Sequence, residues 1–141
     1  WDAGDFAGFS EVSPWFAVNP NYPQVNVARQ AAEPDSLLNF FKKMTSLRKS
    51  EKLAPLMIYG RTVPVLQEVK GLVAYYRERE GQRLVVVANL TANMQKIPLK
   101  KAVNEPLLNN LPGFIQTAAY GELQPYQSVI WYETGGESLA T

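Results

Sequence analysis

Neither cysteine nor histidine occurs in this chain of 141 residues. Without cysteine there is no disulfide, no thiol nucleophile and no cysteine-ligated zinc, and the composition fits a reducing compartment, so a cytoplasmic location is expected. Without histidine the commonest general base and metal ligand is missing as well. Carboxylates, lysine and tyrosine are what remain for chemistry, and no metal or other cofactor is expected. Long apolar runs are also missing: the longest, Leu84 to Ala88, falls far short of the ~20 residues that a membrane-spanning helix needs. Nor is charge of one sign in excess. Fourteen basic and thirteen acidic side chains leave a net charge of +1, which gives no electrostatic reason to expect nucleic acid or a membrane surface as partner. A ligand, if there is one, is expected to be neutral.

What is present is 46% hydrophobic and 19% charged residues, the composition of a globular domain with one ordinary core. Residues 1–32 carry Gly, Pro, Asn and Ser at loop density with no sustained period, and read as an irregular, extended arm. From Pro34 the pattern changes. Leu37, Leu38, Phe40, Phe41, Met44 and Leu47 recur at helical spacing with Lys42, Lys43, Arg48 and Lys49 between and after them, which predicts an amphipathic helix over about 34–50. Its basic residues read as a solvated face that also complements the helix dipole.

After Pro55 the chain becomes short apolar runs separated by turn residues, the pattern of an all-β domain. Strands are expected at 57–59, 63–67, 72–79, 83–90, 95–99, 116–120 and 128–132, with a hairpin turn at Glu80-Gly81-Gln82. The run Leu84-Val85-Val86-Val87-Ala88 is apolar on both faces and should sit centrally in its sheet. Residues 134–141, with Gly135-Gly136, read as a frayed end. The fold expected from these patterns is mainly β, an antiparallel β-sandwich of about 80 residues preceded by an arm and one N-terminal helix.

The motifs Trp1-Asp2, Ala7-Gly8-Phe9-Ser10, Pro14-Trp15 and Val18-Asn19-Pro20-Asn21-Tyr22 resemble a stretch found late in the α-amylase clan of glycoside hydrolases. The branch in question holds oligo-1,6-glucosidases, dextran glucosidases and trehalulose or trehalose synthases. Further along, Asp35-Ser36-Leu37-Leu38, Phe40-Phe41-Lys42-Lys43 and Leu47-Arg48-Lys49 are similar to that family's last barrel helix, although Glu33-Pro34 stands where Asp-Pro is usual. Val86-Val87-Ala88-Asn89-Leu90-Thr91 and Leu123-Gln124-Pro125-Tyr126-Gln127-Ser128 are similar to strands of its C-terminal domain.

This resemblance implies that residues 1–52 are the last loop and helix of a (β/α)8 barrel, 53–133 the C-terminal β-sandwich and 134–141 a tail, in a C-terminal piece of a larger enzyme. It implies a parent that is a retaining α-glucosidase acting on α-1,6- or related α-glucosides. The nucleophile and acid that retention requires would lie upstream of Trp1, so no catalytic residue is expected here and the polypeptide alone should be inactive. Trp1, Asp2 and Phe9 then either shape the sugar site of the intact enzyme or merely pack their loop.

The alternative is a non-catalytic carbohydrate-binding module, with Tyr120, Tyr126 and Trp131 as a stacking platform for a sugar ring. Against it, Trp131 and Tyr132 fall in one strand and point to opposite faces, so these aromatics are expected instead to fill the sandwich core or its seam with the barrel. The partners implied are the upstream barrel and, through it, neutral α-glucosides. Without the barrel, the face formed by Leu37, Phe40, Phe41, Met44 and Leu47 is expected to self-associate or fold back onto the sandwich. Asn89-Leu90-Thr91 matches the N-glycosylation pattern but ends a predicted strand.

Overall fold

The computed structural model describes residues 1–139, which form two compact units, Trp1–Ser46 and the remainder from Leu47 onward. The division falls before the expected boundary at residue 52 because Leu47 packs with the buried Leu53, Leu56 and Leu84 of the second unit. No helix among the described residues is long and apolar enough to cross a membrane.

The first unit is more regular than its loop-like composition predicts. A 3₁₀ turn at Asp5–Gly8 is followed by a helix, α1, at Val27–Ala32. At six residues α1 is too short to show a hydrophobic period, but it carries a cap: Asn26 Oδ1 accepts the Arg29 N–H at 2.9 Å while its Nδ2 donates to the Tyr22 carbonyl at 2.9 Å. That is the N-cap geometry that satisfies a free donor of the first turn. The predicted amphipathic helix is α2, Leu37–Lys49. It starts three residues later than Pro34 because Ser36 is the cap, its Oγ accepting the Asn39 N–H at 3.2 Å. Leu37, Phe41 and Met44 are exposed on it and Phe40 is half-buried.

The second unit opens with a further helix, α3, at Ala54–Tyr59, where a strand over 57–59 was expected. Pro55 in its first turn fixes a helical φ, and the Ala54 N–H bonds back to the Ser50 carbonyl at 2.8 Å. The chain thus has three α-helices among the described residues rather than one.

Beyond α3 lie β1 (Arg61–Val65), β2 (Leu72–Arg79), β3 (Gln82–Asn89), β4 (Gln95–Pro98), β5 (Leu108–Asn109), β6 (Ile115–Gln116), β7 (Tyr120–Leu123) and β8 (Ser128–Thr134). One antiparallel sheet runs β1-β2-β3-β8-β5 and the other β4-β7-β6. The predicted strand at 116–120 is split between β6 and β7 by a turn closed by the Thr117 N–H on the Tyr120 carbonyl at 2.8 Å.

Strand β3 lies between β2 and β8, as its doubly apolar sequence requires. Val85 and Val87 enter the core shared by the two sheets, with Ile97, Leu123, Val129 and Trp131, whereas Leu84 faces the α3 side. The β2–β3 hairpin closes through Glu80 and Gly81, both with positive φ (51° and 74°), so the loop has two residues. That backbone matches strand twist.

The end of the chain is not frayed over 134–139. Leu139 is fully buried and bridges Leu99, and the Lys100 N–H donates to the Ser138 carbonyl at 2.7 Å. Burial of one apolar side chain against the core outweighs the flexibility that Gly135-Gly136 suggests. Residues 140 and 141 of the predicted tail lie outside the described residues.

Candidate functional site

The arm folds around one carboxylate. Asp2 donates its N–H to the Ala7 carbonyl at 2.9 Å, Ala7 donates to the Gly4 carbonyl at 3.0 Å, and Asp2 Oδ1 accepts the Gly4 N–H at 2.8 Å. This turn drives Phe6, Ala7 and Gly8 into the left-handed region, with φ of 50°, 61° and 59°. At Gly8 a Cβ would sit 2.4 Å from Asp2 Oδ1, so only glycine fits. The spacing between Asp2 and Gly8 is therefore a packing relation, which two motifs read separately along the sequence do not reveal.

The turn brings Trp1 and Phe9 together, edge to face, with ring centroids 5.5 Å apart at 74°. The Trp1 carbonyl accepts the Ala28 N–H of α1 at 3.0 Å, which ties the backbone beneath that ring to the helix. Both rings border a cavity of about 400 Å³, together with Trp15, Phe16, Asn21 and Tyr22. Trp15 and Phe16 are themselves in contact, centroids 4.2 Å apart, and Trp15 is 92% exposed. Aromatic faces beside amide side chains are the lining that a sugar ring uses, apolar C–H faces on the rings and hydroxyls on the amides.

Of the three arm residues singled out from sequence, the structure joins Trp1 and Phe9 at the cavity. Asp2 lies behind them with its carboxylate turned into its own loop. Trp15 and Phe16 join them without belonging to the expected site; the sequence signal for them is two adjacent aromatics in a stretch with no apolar period to bury them.

The second predicted cluster does not assemble as a platform. Trp131 is fully buried between the sheets, parallel to Phe114 (6.3 Å, 18°), and its Nε1–H donates to Ser138 Oγ at 3.2 Å. It points inward because β8 alternates, placing Val129, Trp131 and Glu133 on the core side. A ring with no exposed face cannot stack on a sugar. Tyr120 lies half-buried under the Lys96 ammonium, 4.7 Å from the ring centre, and Tyr126 is exposed in the turn before β8.

Asn89, the acceptor of the glycosylation pattern, is buried and fully engaged. Its Nδ2 donates to the Asn93 and Gln124 carbonyls at 2.7 and 2.8 Å, and its Oδ1 accepts from the Thr91 N–H and hydroxyl at 2.9 and 2.8 Å. Its place is to lock the β3–β4 connection. No group of three or more carboxylates suited to a metal occurs among the described residues.

Two family models match the chain: the α-amylase catalytic domain over residues 1–57 and the α-amylase SusG C-terminal domain over residues 72–130. The oligo-1,6-glucosidase of Bacillus cereus is 30% identical over 138 residues, covering 93% of this chain and 24% of that protein. The α-glucosidase of Schizosaccharomyces pombe is 34% identical over 134 residues, 92% of this chain and 23% of that protein. Among solved structures, isomaltulose synthase from Klebsiella sp. LX3 superposes with a TM-score of 0.81 at 28% identity, over 94% of this chain and 24% of that one. The chain thus spans between 16% and 24% of the length of such curated relatives. The catalytic-domain match covers the aromatic arm, α1 and α2, and the other match covers most of the two sheets, so the chain belongs to the α-amylase family of glycoside hydrolases.

Proposed function

We propose that this chain works as the C-terminal part of a retaining α-glucosidase for α-1,6- or related α-glucosides. The nucleophile and acid come from the barrel that precedes the aligned region in the relatives, and the arm supplies a wall of the sugar site. The observation that carries this reading is the aromatic cavity, where Trp1 and Phe9 stand edge to face beside Trp15 and the Asn21 amide. Retention needs two carboxyl groups about 5 Å apart. Asp2, the acidic group nearest the cavity in sequence, is already committed to the Gly4 amide, which suits a shaping role rather than a reacting one.

In this reading the exposed row Leu37, Phe41 and Met44 of α2 is covered by the barrel, as an amphipathic helix requires. The two sheets form a stabilising domain. The reading extends to a cytoplasmic enzyme, which the lack of cysteine supports.

A chimera tests it. Residues 1–139 replace the aligned quarter of the Bacillus cereus oligo-1,6-glucosidase, and glucose release from isomaltose is measured. The chimera should be active, and Trp1→Ala within it should lower kcat/KM about tenfold, the loss of roughly 1.4 kcal/mol of transition-state binding. The chain alone should release no glucose. An active chimera indifferent to both Trp1→Ala and Phe9→Ala would remove the arm from the sugar site, and glucose released by the chain alone would overturn the whole reading.

A further inference from the structure

One end of the five-stranded sheet carries a row of charges. Arg61, Glu78, Arg83 and Glu133 stand in register across β1, β2, β3 and β8. The first three satisfy one another, because Glu78 accepts from Arg61 at 2.7 Å and from Arg83 at 3.0 Å. Arg83 also donates to the Gly135 carbonyl at 3.1 Å and lies 3.9 Å from Glu137. Glu133 is left outside these pairs. It is 4% exposed, the only charged side chain in the core among the described residues, and neither of its carboxylate oxygens has a hydrogen-bond partner there.

Glu133 lines a cavity of about 290 Å³ formed by β8, Ser138 and the connection that follows β4. Lys101 lines it too but does not neutralise the acid, since its ammonium donates to the Gly136 carbonyl at 2.7 Å. The other polar side chains of the lining offer oxygen. Asn104 Nδ2 donates to the Tyr132 carbonyl at 2.9 Å, which leaves Oδ1 to accept. Ser138 Oγ accepts from Trp131 Nε1 at 3.2 Å and keeps a second lone pair. The Thr134 hydroxyl makes no hydrogen bond among the described residues.

We propose that this cavity binds a hard divalent cation of the calcium class, with Glu133 as the charged ligand. A buried carboxylate is tolerated when it is paired or holds a metal ion, and the neighbouring cations of the chain are held by other acceptors. Calcium takes carboxylate, amide and other neutral oxygens together in irregular geometry, whereas magnesium demands a near-ideal octahedron and keeps its waters. One carboxylate among neutral donors sets the affinity at about 10⁻⁴–10⁻³ M, the weak end of calcium binding. The site belongs to the second unit alone and does not rest on the α-glucosidase reading.

The test adds calcium to the chelator-treated 141-residue chain and follows the amide NMR spectrum at fixed pH and ionic strength, with magnesium and sodium chloride as comparisons. Saturable shifts confined to residues 101–104, 133–134 and 138 are expected, tighter for calcium than for magnesium. Terbium in place of calcium should luminesce on tryptophan excitation, because Trp131 also lines the cavity, and calcium should displace it. Glu133→Gln keeps the shape of the side chain, removes its charge and should weaken binding about tenfold or more. Asn104→Ala, at an exposed position, should weaken it about threefold and serves as the second variant should Glu133→Gln fail to fold. Absence of saturable shifts, shifts that sodium chloride reproduces, magnesium bound as tightly as calcium, or binding that either folded variant leaves intact would overturn the inference.

Discussion

Replacing Gly8 by alanine should open the arm. The added Cβ would lie 2.4 Å from Asp2 Oδ1 and 2.5 Å from both Cγ and Oδ2, so the carboxylate must leave. With it goes the bond to the Gly4 N–H, worth ~1.5 kcal/mol for a charged acceptor. A non-glycine residue held at a φ of 59° costs a further ~1–2 kcal/mol. The sum, ~3 kcal/mol, is a hundredfold change in the opening equilibrium of the turn. Hydrogen exchange reads it directly, as loss of protection at the Gly4 and Ala7 amides, and near-ultraviolet circular dichroism reads the Trp1–Phe9 pair that the turn supports. Gly81→Ala separates the two contributions, because at φ 74° it carries the same backbone cost with no atom within 4 Å. If Gly8→Ala keeps Gly4 protected and the aromatic signal intact, or costs no more than Gly81→Ala, then Asp2 and Gly8 are not the coupled pair described here.

Three further substitutions probe the second unit. Burial, reinforced by the negative charges of Glu133 and Glu137, pushes the Tyr76 hydroxyl up to about 12 from the ordinary value of 10. A raised value means that the unfolded chain loses its proton first. The associated stability is therefore complete below pH 10 and lost as pH rises toward 12, ~2–3 kcal/mol in all. Urea unfolding across that window should show Tyr76→Phe flatter than the unmodified chain by that amount, and parallel curves would refute the assignment. Asn89→Ala leaves the Thr91 N–H and the Asn93 and Gln124 carbonyls without their partner, a loss of ~2–4 kcal/mol that calorimetry should register as a fall in Tm of about 10 °C or more. A fall of only a few degrees would mean that water replaces the side chain. Gly121→Ala places a methyl 2.9 Å from Phe114 Cζ and 3.1 Å from Ile97 Cγ1, an overpacking cost of ~1–3 kcal/mol that denaturant unfolding should show as a lower midpoint; an unchanged midpoint would mean that the Phe114 ring moves aside freely.

What the sequence disclosed follows from how local each signal is. The apolar run of β3 and the spacing of α2 are properties of one segment, and both segments are found where expected. The segment around α3 suggests a strand because Leu56-Met57-Ile58-Tyr59 is an unbroken apolar run, which periodicity alone cannot assign. The end of the chain departs from its sequence signal for the opposite reason. Its glycines are a local signal of flexibility, while the burial of Leu139 against a core that includes Trp131 is a tertiary fact.

The arm shows why its motif must be read as one device. Asp2 occupies the space that a side chain at Gly8 would need, and the left-handed turn between them carries the chain back so that Phe9 meets Trp1. Two residues are spent on geometry so that two rings can be presented. A carboxylate so placed is held by its own loop, with one oxygen facing the Gly4 amide. The presence of an aspartate beside an aromatic wall is thus no sign of an acid or base there. If the arm forms the sugar site proposed above, the acidic group acts on the sugar only through the position of the two rings it supports.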